Sequence, residues 1–335
     1  MNIKKHIGII GAGAWGTAFA IHLARKGIKV LLWVYEPDLY ETLKTERENR
    51  LYLPGFTLPE NVDFTDNLEI IAHKSEGIVM ATPSFALRKT IEPISIELVD
   101  KDILILTKGL EIDTLLRMSQ VTEGLLHQTN NRVAVLSGPS FAEEVARENF
   151  TSVVVASTNR RLAYEFQRVI HTDNFRVYTS EDILGVDLGG ARNNEKAIGA
   201  GIIDALKLGT NTQAAYTTRA IAEIKRLGRT LGAKETTFMG LSGIGDLILT
   251  SYGKLSRNRR FGTELATGKK ASTIIQEQKQ VVEGYYTTKA AYTLSKRFNI
   301  EMPITEELYK ILYEDKNLKL SLNDIKKRAL KEEDD

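Results

Sequence analysis

The chain has 335 residues, of which 42% are hydrophobic and 26% are charged, a composition typical of soluble globular proteins. Its length predicts about two domains. Lysines and arginines (45) balance aspartates and glutamates (43), so the net charge of +2 creates no broad field that would favour nucleic acid or a membrane surface. The chain has no cysteine, which excludes disulfides, thiolate nucleophiles and thiolate metal sites.

The sequence has no feature of a membrane or secreted protein. No apolar run approaches the ~20 residues that a membrane span needs. Residues 1–6 lead directly into an apolar strand, without the apolar region and cleavage site of a signal peptide. Together with the lack of cysteine, this predicts a cytoplasmic protein. The histidines have no metal-ligand spacing and no accompanying carboxylate cluster, so we expect no metal site.

Short apolar runs alternate with helix-like segments in the first half of the chain. The first run, 7–10, is followed by a helical pattern over 17–26 and by a second apolar run over 29–34. Further predicted strands cover 77–81, 102–107, 133–136 and 152–156. Strands that alternate with helices imply right-handed crossovers and a parallel sheet.

The second half of the chain has a different pattern. Six of the seven prolines lie at or before Pro139, and the other one is Pro303. Because proline breaks helix interiors, the second half can form long helices, and its pattern is helical almost throughout from Val186. The sequence therefore predicts an α/β domain with a parallel sheet over residues 1–185, followed by an all-helical domain over residues 186–335.

A glycine-rich motif with the spacing G-x-G-x-x-G follows the first predicted strand and opens the first predicted helix. Its glycines are Gly11, Gly13 and Gly16. Glycines at these positions allow a tight turn and a close approach of the backbone to a pyrophosphate, and the helix N-terminus supplies N–H donors. This context predicts a dinucleotide-binding site. A glycine-rich turn without a ligand is the alternative.

An acidic residue after the second predicted strand indicates which dinucleotide binds. Glu36 lies 20 residues after Gly16, and a carboxylate there can bind a ribose 2′-hydroxyl and repels a 2′-phosphate. No lysine or arginine occurs between Lys29 and Lys44 to offset it. We therefore predict NAD as the cofactor, with NADP also allowed, and Tyr35 as a cover for the adenine. The alternative for Glu36 is a solvated charge at a strand end.

Five further segments combine a turn with side chains that can hold a phosphate or a hydroxyl group. They are 81–85, 107–111, 137–144, 243–247 and 256–262. In the last segment, Arg257 presents a planar fork suited to phosphate, and Asn258 can add a neutral donor. An exposed basic turn or a nucleic-acid patch is the alternative, but the chain has no basic excess elsewhere that would support nucleic acid.

In the combination of these motifs the chain resembles the bacterial glycerol-3-phosphate dehydrogenases, from Gly11 to the segment 303–306. The family has a Rossmann-type parallel sheet domain followed by an all-helical domain. The resemblance implies an oxidoreductase that interconverts sn-glycerol 3-phosphate and dihydroxyacetone phosphate by hydride transfer with NAD(P), supplying glycerol 3-phosphate for phospholipid synthesis. It also implies a small phosphorylated substrate and is compatible with a homodimer.

The resemblance implies roles position by position. Lys108 is placed beside the substrate and the nicotinamide, and Asp246 is the acidic partner of the catalytic centre. From the residues alone, Lys108 could be a surface lysine and Asp246 a helix cap. The implied cofactor site comprises Gly11, Gly13, Ala14, Trp15, Gly16, Tyr35, Glu36, Lys108, Ala142, Arg257, Val281 and Glu283. The implied substrate site comprises Lys108, Gly138, Ser140, Asn194, Asp246, Ser256, Arg257 and Asn258.

The chain departs from the family at the start of the first long helix of the second half. The family carries a catalytic lysine there, in a segment like Gly-Ala-Leu-Lys-Asn-Val, and Asn193 takes its place in this chain. Arg192, Glu195 and Lys196 replace apolar residues. Asparagine cannot titrate but can donate a hydrogen bond, and losing a general acid typically costs about 10²–10⁴-fold in rate. The predicted catalytic positions are Asn193, Lys108 and Asp246.

The source of the proton is open at this point. Lys196 lies three residues after Asn193 and shares one side of a helix with it, so one hypothesis is that it reaches the site. Lys108 is the other donor, and Lys196 and Glu195 then face solvent. A second functional hypothesis is a catalytically weakened or inactive nucleotide- and phosphate-binding homologue. A third is a different small hydroxy acid or phosphate as substrate, although Arg257 argues against an unphosphorylated one.

Overall fold

The computed structural model of the protein describes residues 6–126, 132–278 and 280–333, so His127 and the segment 1–5 lie outside it. The strands are β1 His6–Ile10, β2 Lys29–Trp33, β3 Val62–Thr65, β4 Gly77–Met80, β5 Asp102–Ile105, β6 Val133–Ser137, β7 Thr151–Ala156 and β8 Phe175–Ser180. They form one eight-stranded sheet in the order β3-β2-β1-β4-β5-β6-β7-β8. Neighbouring strands are parallel except for the antiparallel pair β6–β7.

Helices lie between the strands and then make up the second half of the chain. Those among the strands are α1 Ala14–Arg25, α2 Pro37–Glu46, α3 Leu68–Lys74, α4 Leu87–Ile91, α5 Met118–Leu125, α6 Ala142–Ala146 and α7 Arg160–Ile170. Those after the sheet are α8 Ile183–Ala205, α9 Thr210–Leu231, α10 Glu235–Phe238, α11 Asp246–Tyr252, α12 Arg257–Leu265, α13 Ala271–Glu277, α14 Glu283–Arg297, α15 Pro303–Tyr313 and α16 Leu318–Lys326. A 3₁₀ turn, Glu92–Ile94, follows α4, and a π-helical turn, Leu241–Gly245, precedes α11.

The sheet is covered on both faces, which explains its continuous apolar strands. In β4, Val79 belongs to a core that also includes side chains of α1 and α7. Its neighbours Ile78 and Met80 point the other way, into a core shared with α3, α4 and α5. The predicted α/β sheet with a helical second half is therefore confirmed.

Each of the six predicted strands is present, with ends that shift by one or two residues, and the first helix starts three residues earlier than predicted. The antiparallel pair β6–β7 departs from the prediction of a parallel sheet. The connection between these strands holds only the five-residue helix α6. Such a helix is roughly 7.5 Å long, whereas a five-residue strand spans about 17 Å. The chain therefore re-enters the sheet from the end at which it left.

The helix α8 is the centre of the second half, and its two ends contribute to different cores. Glycines allow α12 to approach it closely: a Cβ at Gly201 would lie 2.0 Å from the Arg259 carbonyl oxygen, and one at Gly262 would lie 2.0 Å from that of Ile198. This contact fixes the N-terminus of α12 beside α8. The predicted boundary between residues 185 and 186 falls in the first turn of α8, and the division into two domains stays a prediction.

Among the described residues, the structure contains no helix that is both long and apolar enough to cross a membrane.

Candidate active site

The turn between β1 and α1 has the geometry that its glycines predict. Gly11 has a φ of +119°, and a Cβ there would lie 2.8 Å from the Ala81 carbonyl oxygen. A Cβ at Gly16 would lie 2.0 Å from the Gly11 oxygen, whereas one at Gly13 would meet no described atom within 4 Å. No described side chain caps the N-terminus of α1. Open space in front of uncapped N–H donors fits the pyrophosphate of a dinucleotide.

A buried asparagine that the sequence analysis did not select holds this turn in place. Asn49 is fully buried, and its Nδ2 donates to the Ala12 carbonyl oxygen and to Thr17 Oγ1, each at 2.8 Å. Thr17 Oγ1 in turn donates to the Ala12 oxygen at 3.2 Å. The turn is therefore fixed by a residue outside the glycine-rich motif.

Glu36 lies at the junction of β2 and α2, where it accepts a hydrogen bond instead of being solvated alone. Its Oε1 accepts from the Tyr52 hydroxyl at 2.7 Å. Burial, together with the Glu36 carboxylate, raises the pKa of Tyr52 to about 12, so the phenol is a neutral donor that orients the carboxylate. Tyr35 is 76% exposed, and its ring centroid lies 5.9 Å from that of Trp33.

The remaining residues of the implied cofactor site near this turn are apolar. Ala14 and Trp15 form the first turn of α1, and Ala142 begins α6. Trp15 and Ala142 pack against the same core. Val281 lies apart from them in sequence, just before α14, and is half-buried.

Lys108 and Asp246 form an ion pair between the sheet and the helical half. Lys108 follows β5, and its Nζ lies 2.9 Å from Asp246 Oδ2 and donates to the Gly138 carbonyl oxygen at 3.2 Å. Asp246 is 3% exposed, and as the first residue of α11 it caps no described backbone N–H. The two alternatives, a surface lysine and a helix cap, are therefore wrong. The Gly138 oxygen also accepts from Ser140 Oγ at 2.9 Å.

Asn193 lies in the same cluster and is fully buried. Its Nδ2 donates to the carbonyl oxygens of Ser242 at 2.9 Å and Gly243 at 3.0 Å, and it lies 3.4 Å from Asp246 Oδ2. Two glycines of α8 permit this approach: a Cβ at Gly189 would lie 2.7 Å from the Ser242 oxygen, and one at Gly190 would lie 2.4 Å from Ser137 Oγ. Asp246 thus bridges Lys108 and Asn193.

Lys196 is neither in this cluster nor exposed, so both hypotheses about it are wrong. It is fully buried, and its Nζ lies 2.5 Å from Glu223 Oε2, 2.7 Å from Thr305 Oγ1 and 3.1 Å from Glu195 Oε1. Glu195 is also fully buried and lies 2.7 Å from Arg192 Nη2. These residues form a buried ionic cluster against α9 and α15, with four charged side chains that sum to zero.

Asn194 and Asn258 form a chain of amide hydrogen bonds. Asn258 Oδ1 accepts from the Gly284 N–H at 2.9 Å, and its Nδ2 donates to Asn194 Oδ1 at 2.8 Å. The backbone donor fixes the orientation of the first amide and hence of the second. Asn194 then keeps its Nδ2 as a donor for another oxygen.

Two residues at the start of α12 have different roles, one as a helix cap and one as a cation. Ser256 is the N-cap, and its Oγ accepts from the Arg259 N–H at 3.1 Å. Arg257 is the next residue, and its side chain is exposed to solvent. Nearby protein still desolvates the guanidinium and lowers its pKa, whereas the charge of Glu283 acts to raise that pKa. A partly enclosed guanidinium of this kind suits an anionic ligand.

Glu283, at the start of α14, binds a loop of the sheet. Its Oε1 accepts from the Ser84 N–H at 2.9 Å and its Oε2 accepts from Ser84 Oγ at 2.5 Å. Burial raises the pKa of Glu283, against these hydrogen bonds and the charge of Arg257. Gly109 lies against the pair, because a Cβ there would lie 2.5 Å from Ser84 Cβ. The loop after β4 thereby connects the glycine-rich turn with the loop that carries Lys108.

Within the part of the chain that the structure describes, no group of three or more histidine, cysteine, aspartate or glutamate side chains could hold a metal ion. The site is instead built from amides, one ion pair, an arginine and the uncapped end of α1.

Comparison with known proteins decides the family. Residues 6–163 match the model of the N-terminus of NAD-dependent glycerol-3-phosphate dehydrogenase, and residues 182–323 match the model of its C-terminus. The chain belongs to this family. It is 44% identical over 333 residues to the glycerol-3-phosphate dehydrogenase (NAD(P)+) of Geobacter sulfurreducens, with 99% of each chain covered. That of Syntrophotalea carbinolica is 45% identical, over 98% of this chain and all of the relative.

A solved structure agrees with the membership of the glycerol-3-phosphate dehydrogenase family. The crystal structure of the Coxiella burnetii glycerol-3-phosphate dehydrogenase superposes with a TM-score of 0.92 at 39% identity, covering 98% of this chain and 100% of that one. The resemblance inferred from the motifs is therefore confirmed.

Proposed function

We propose that this chain interconverts sn-glycerol 3-phosphate and dihydroxyacetone phosphate with NAD(P), and so supplies glycerol 3-phosphate for phospholipid synthesis. The observation that carries the proposal is the cluster in which Asp246 Oδ2 lies 2.9 Å from Lys108 Nζ and 3.4 Å from Asn193 Nδ2. This cluster lies where the sheet meets α8 and keeps one titratable donor. Family membership over the whole length favours the enzyme over an inactive binding homologue.

The residues of the cluster have different roles in the reduction of the carbonyl group. Bound NADH supplies the hydride for the substrate carbon. Lys108 Nζ is held between the Gly138 carbonyl oxygen and Asp246, and it gives the proton to the developing alkoxide oxygen. Asn193 cannot supply that proton, and its Nδ2 already donates to the carbonyl oxygens of Ser242 and Gly243, so it fixes the turn that leads to Asp246. The protein therefore reduces the ketone with one proton donor where the family has a second lysine.

The phosphate of the substrate lies, in this proposal, against the start of α12. Arg257 supplies the charge and fork geometry for two phosphate oxygens. Asn258 fixes the amide of Asn194, whose Nδ2 is then aimed at a substrate oxygen. Ser256 shapes the helix end, because its Oγ already accepts from the Arg259 N–H.

The proposed function is tested by the loss of NADH absorbance. We expect loss that depends on dihydroxyacetone phosphate and none with dihydroxyacetone, which lacks the phosphate for Arg257. Equal rates with the two ketones would contradict the assignment of the substrate.

Replacing Arg257 with alanine is expected to raise KM for dihydroxyacetone phosphate far more than it changes NADH affinity. Losing a hydrogen bond to a charged phosphate should cost about 1.5–3 kcal/mol of binding free energy. Steady-state kinetics with each ligand varied in turn measures this. Arg161→Ala, in an exposed ion pair on α7, is the matched control. A loss of NADH affinity with substrate affinity retained would put Arg257 in the cofactor site alone.

NADH is expected to be preferred over NADPH by roughly tenfold in kcat/KM. At ~4 Å in water a pair of unit charges is worth about 1 kcal/mol, and a 2′-phosphate carries up to about two charges. Glu36→Gln should reduce this preference. Tyr52→Phe keeps the carboxylate but removes its hydrogen bond, so its preference for NADH should lie between those of the parent and Glu36→Gln. Equal or better kcat/KM with NADPH for the parent protein would show that Glu36 does not select the cofactor.

The division at residues 185 and 186, a cytoplasmic location and assembly as a homodimer stay predictions. The α/β and helical arrangement supports the first. The absence of cysteine from the sequence supports the second.

A further inference from the structure

We infer that Ser84 and Glu283 form a clamp that positions the loop 82–86 over the cofactor site, and that Glu283 acts through Ser84. This inference rests on the proposed function for its ligand and concerns a role that the sequence did not assign. Ser84 lies in the candidate segment 81–85 but has no role assigned to it there, and the resemblance implies that Glu283 contacts the cofactor directly.

The geometry of the pair uses the whole carboxylate. Oε1 accepts from the Ser84 N–H at 2.9 Å, and Oε2 accepts from Ser84 Oγ at 2.5 Å. The partners are 199 residues apart and belong to the sheet and to the helical half. Ser84 is 2% exposed and Glu283 is half-buried, so the Ser84 side of the pair is shielded from water. A carboxylate engaged twice by one residue is suited to holding a loop.

The loop that the clamp holds touches both halves of the predicted site. At its start, Ala81 lies against the glycine-rich turn, where a Cβ at Gly11 would be 2.8 Å from the Ala81 oxygen. On its other side Ser84 contacts Gly109, the residue after Lys108. Release of the loop would therefore loosen the surface that faces the cofactor and the backbone beside Lys108.

A second contact joins the same loop to α14. Phe85 is 49% exposed, and its ring centroid lies 5.4 Å from that of Tyr286 on α14. Tyr286 in turn lies 5.3 Å from Tyr285, which packs edge-on against Phe261. Neighbouring residues of the loop thus bind neighbouring turns of one helix. The two contacts fix the orientation of the loop as well as its distance from α14.

A double-mutant cycle on NADH binding tests the clamp. The variants are Ser84→Ala, Glu283→Gln and the double, with the dissociation constant of NADH read from tryptophan fluorescence. We expect each single variant to weaken binding roughly tenfold and the double to be no weaker than the weaker single, because each removes the same interaction. The KM for NADH should rise, whereas kcat at saturating NADH should change much less. Glu165→Gln, in an exposed pair on α7, is the matched control.

Hydrogen exchange in the segment 82–86 gives a readout that needs neither ligand nor turnover. It should be faster in Glu283→Gln than in Glu165→Gln. Additive effects in the cycle, or unchanged exchange, would overturn the clamp and leave Glu283 as a direct contact. If the parent protein consumes no NADH with dihydroxyacetone phosphate, the proposed function fails, and the exchange experiment still decides the clamp.

Discussion

Replacing Asn193 with lysine is expected to raise kcat for dihydroxyacetone phosphate reduction by about 10²–10⁴-fold, the range typical of general-acid catalysis. Asn193 Nδ2 already lies 3.4 Å from Asp246 Oδ2. A lysine at this position of α8 would therefore extend toward the same carboxylate that binds Lys108. The prediction rests on the proposed correspondence of Asn193 with the family's catalytic lysine, which the resemblance of the segments on either side of it implies. Steady-state kcat of the two proteins measures the gain.

Two variants make this experiment specific. Asn193→Met has the length of lysine without its proton and should give no gain. Lys196→Ala, compared at equal folded fraction, should retain the activity of the parent, because Lys196 Nζ is bound to Glu223 and Thr305. Two results together would contradict the assignment of Lys108 as the proton donor: no increase in kcat for Asn193→Lys and loss of activity in Lys196→Ala. Lys196 would then be the donor.

The second large effect concerns stability. Replacing Glu195 with valine is expected to lower the free energy of unfolding by about 3–5 kcal/mol, because it leaves a buried cation unpaired. Glu195 Oε1 lies 2.7 Å from Arg192 Nη2 and 3.1 Å from Lys196 Nζ, and all three side chains are fully buried. Burial also lowers the pKa of Arg192, so its charged form is already disfavoured there. Urea unfolding of the parent and variant measures the loss.

The matched double variant Arg192→Leu with Glu195→Val should recover most of that stability. It removes one charge of each sign and restores apolar side chains, and Lys196 keeps its pairing with Glu223 at 2.5 Å. Replacing a buried ion pair by apolar residues is often neutral or stabilising. A double variant as unstable as the single would show that the cluster itself, and not the unpaired cation, holds α8 in place.

The fold was predictable wherever strands are buried on both faces. Runs such as those of β1 and β4 are apolar throughout, so they stand out from the helices that flank them. The strand β3 was not predicted because Asp63 interrupts its four residues at the sheet edge. The strand β8 alternates buried Phe175 and Val177 with exposed Arg176 and Tyr178, a half-buried edge pattern that the search for apolar runs does not detect.

The candidate site was predictable where a local spacing carries the chemistry, as in the turn at Gly11. It was not predictable where partners are distant in sequence. Asn49 follows no motif, and the segment 81–85 that contains Ser84 does not reveal its partner. The roles of the two residues depend on contacts with Ala12 and Glu283. The charged residues of α8 also led to a wrong prediction. A lysine such as Lys196 is expected to face solvent, but this one is buried because it pairs with Glu223 on another helix.

The most direct test of the account follows the hydride itself. The parent protein is incubated with dihydroxyacetone phosphate and NADH deuterated at the reactive position of the nicotinamide, and the product is identified by mass spectrometry and NMR. We expect sn-glycerol 3-phosphate with deuterium on C2, in an amount equal to the NADH consumed, formed slowly by the parent and faster by Asn193→Lys. Binding of both ligands to both proteins without any labelled product would contradict it.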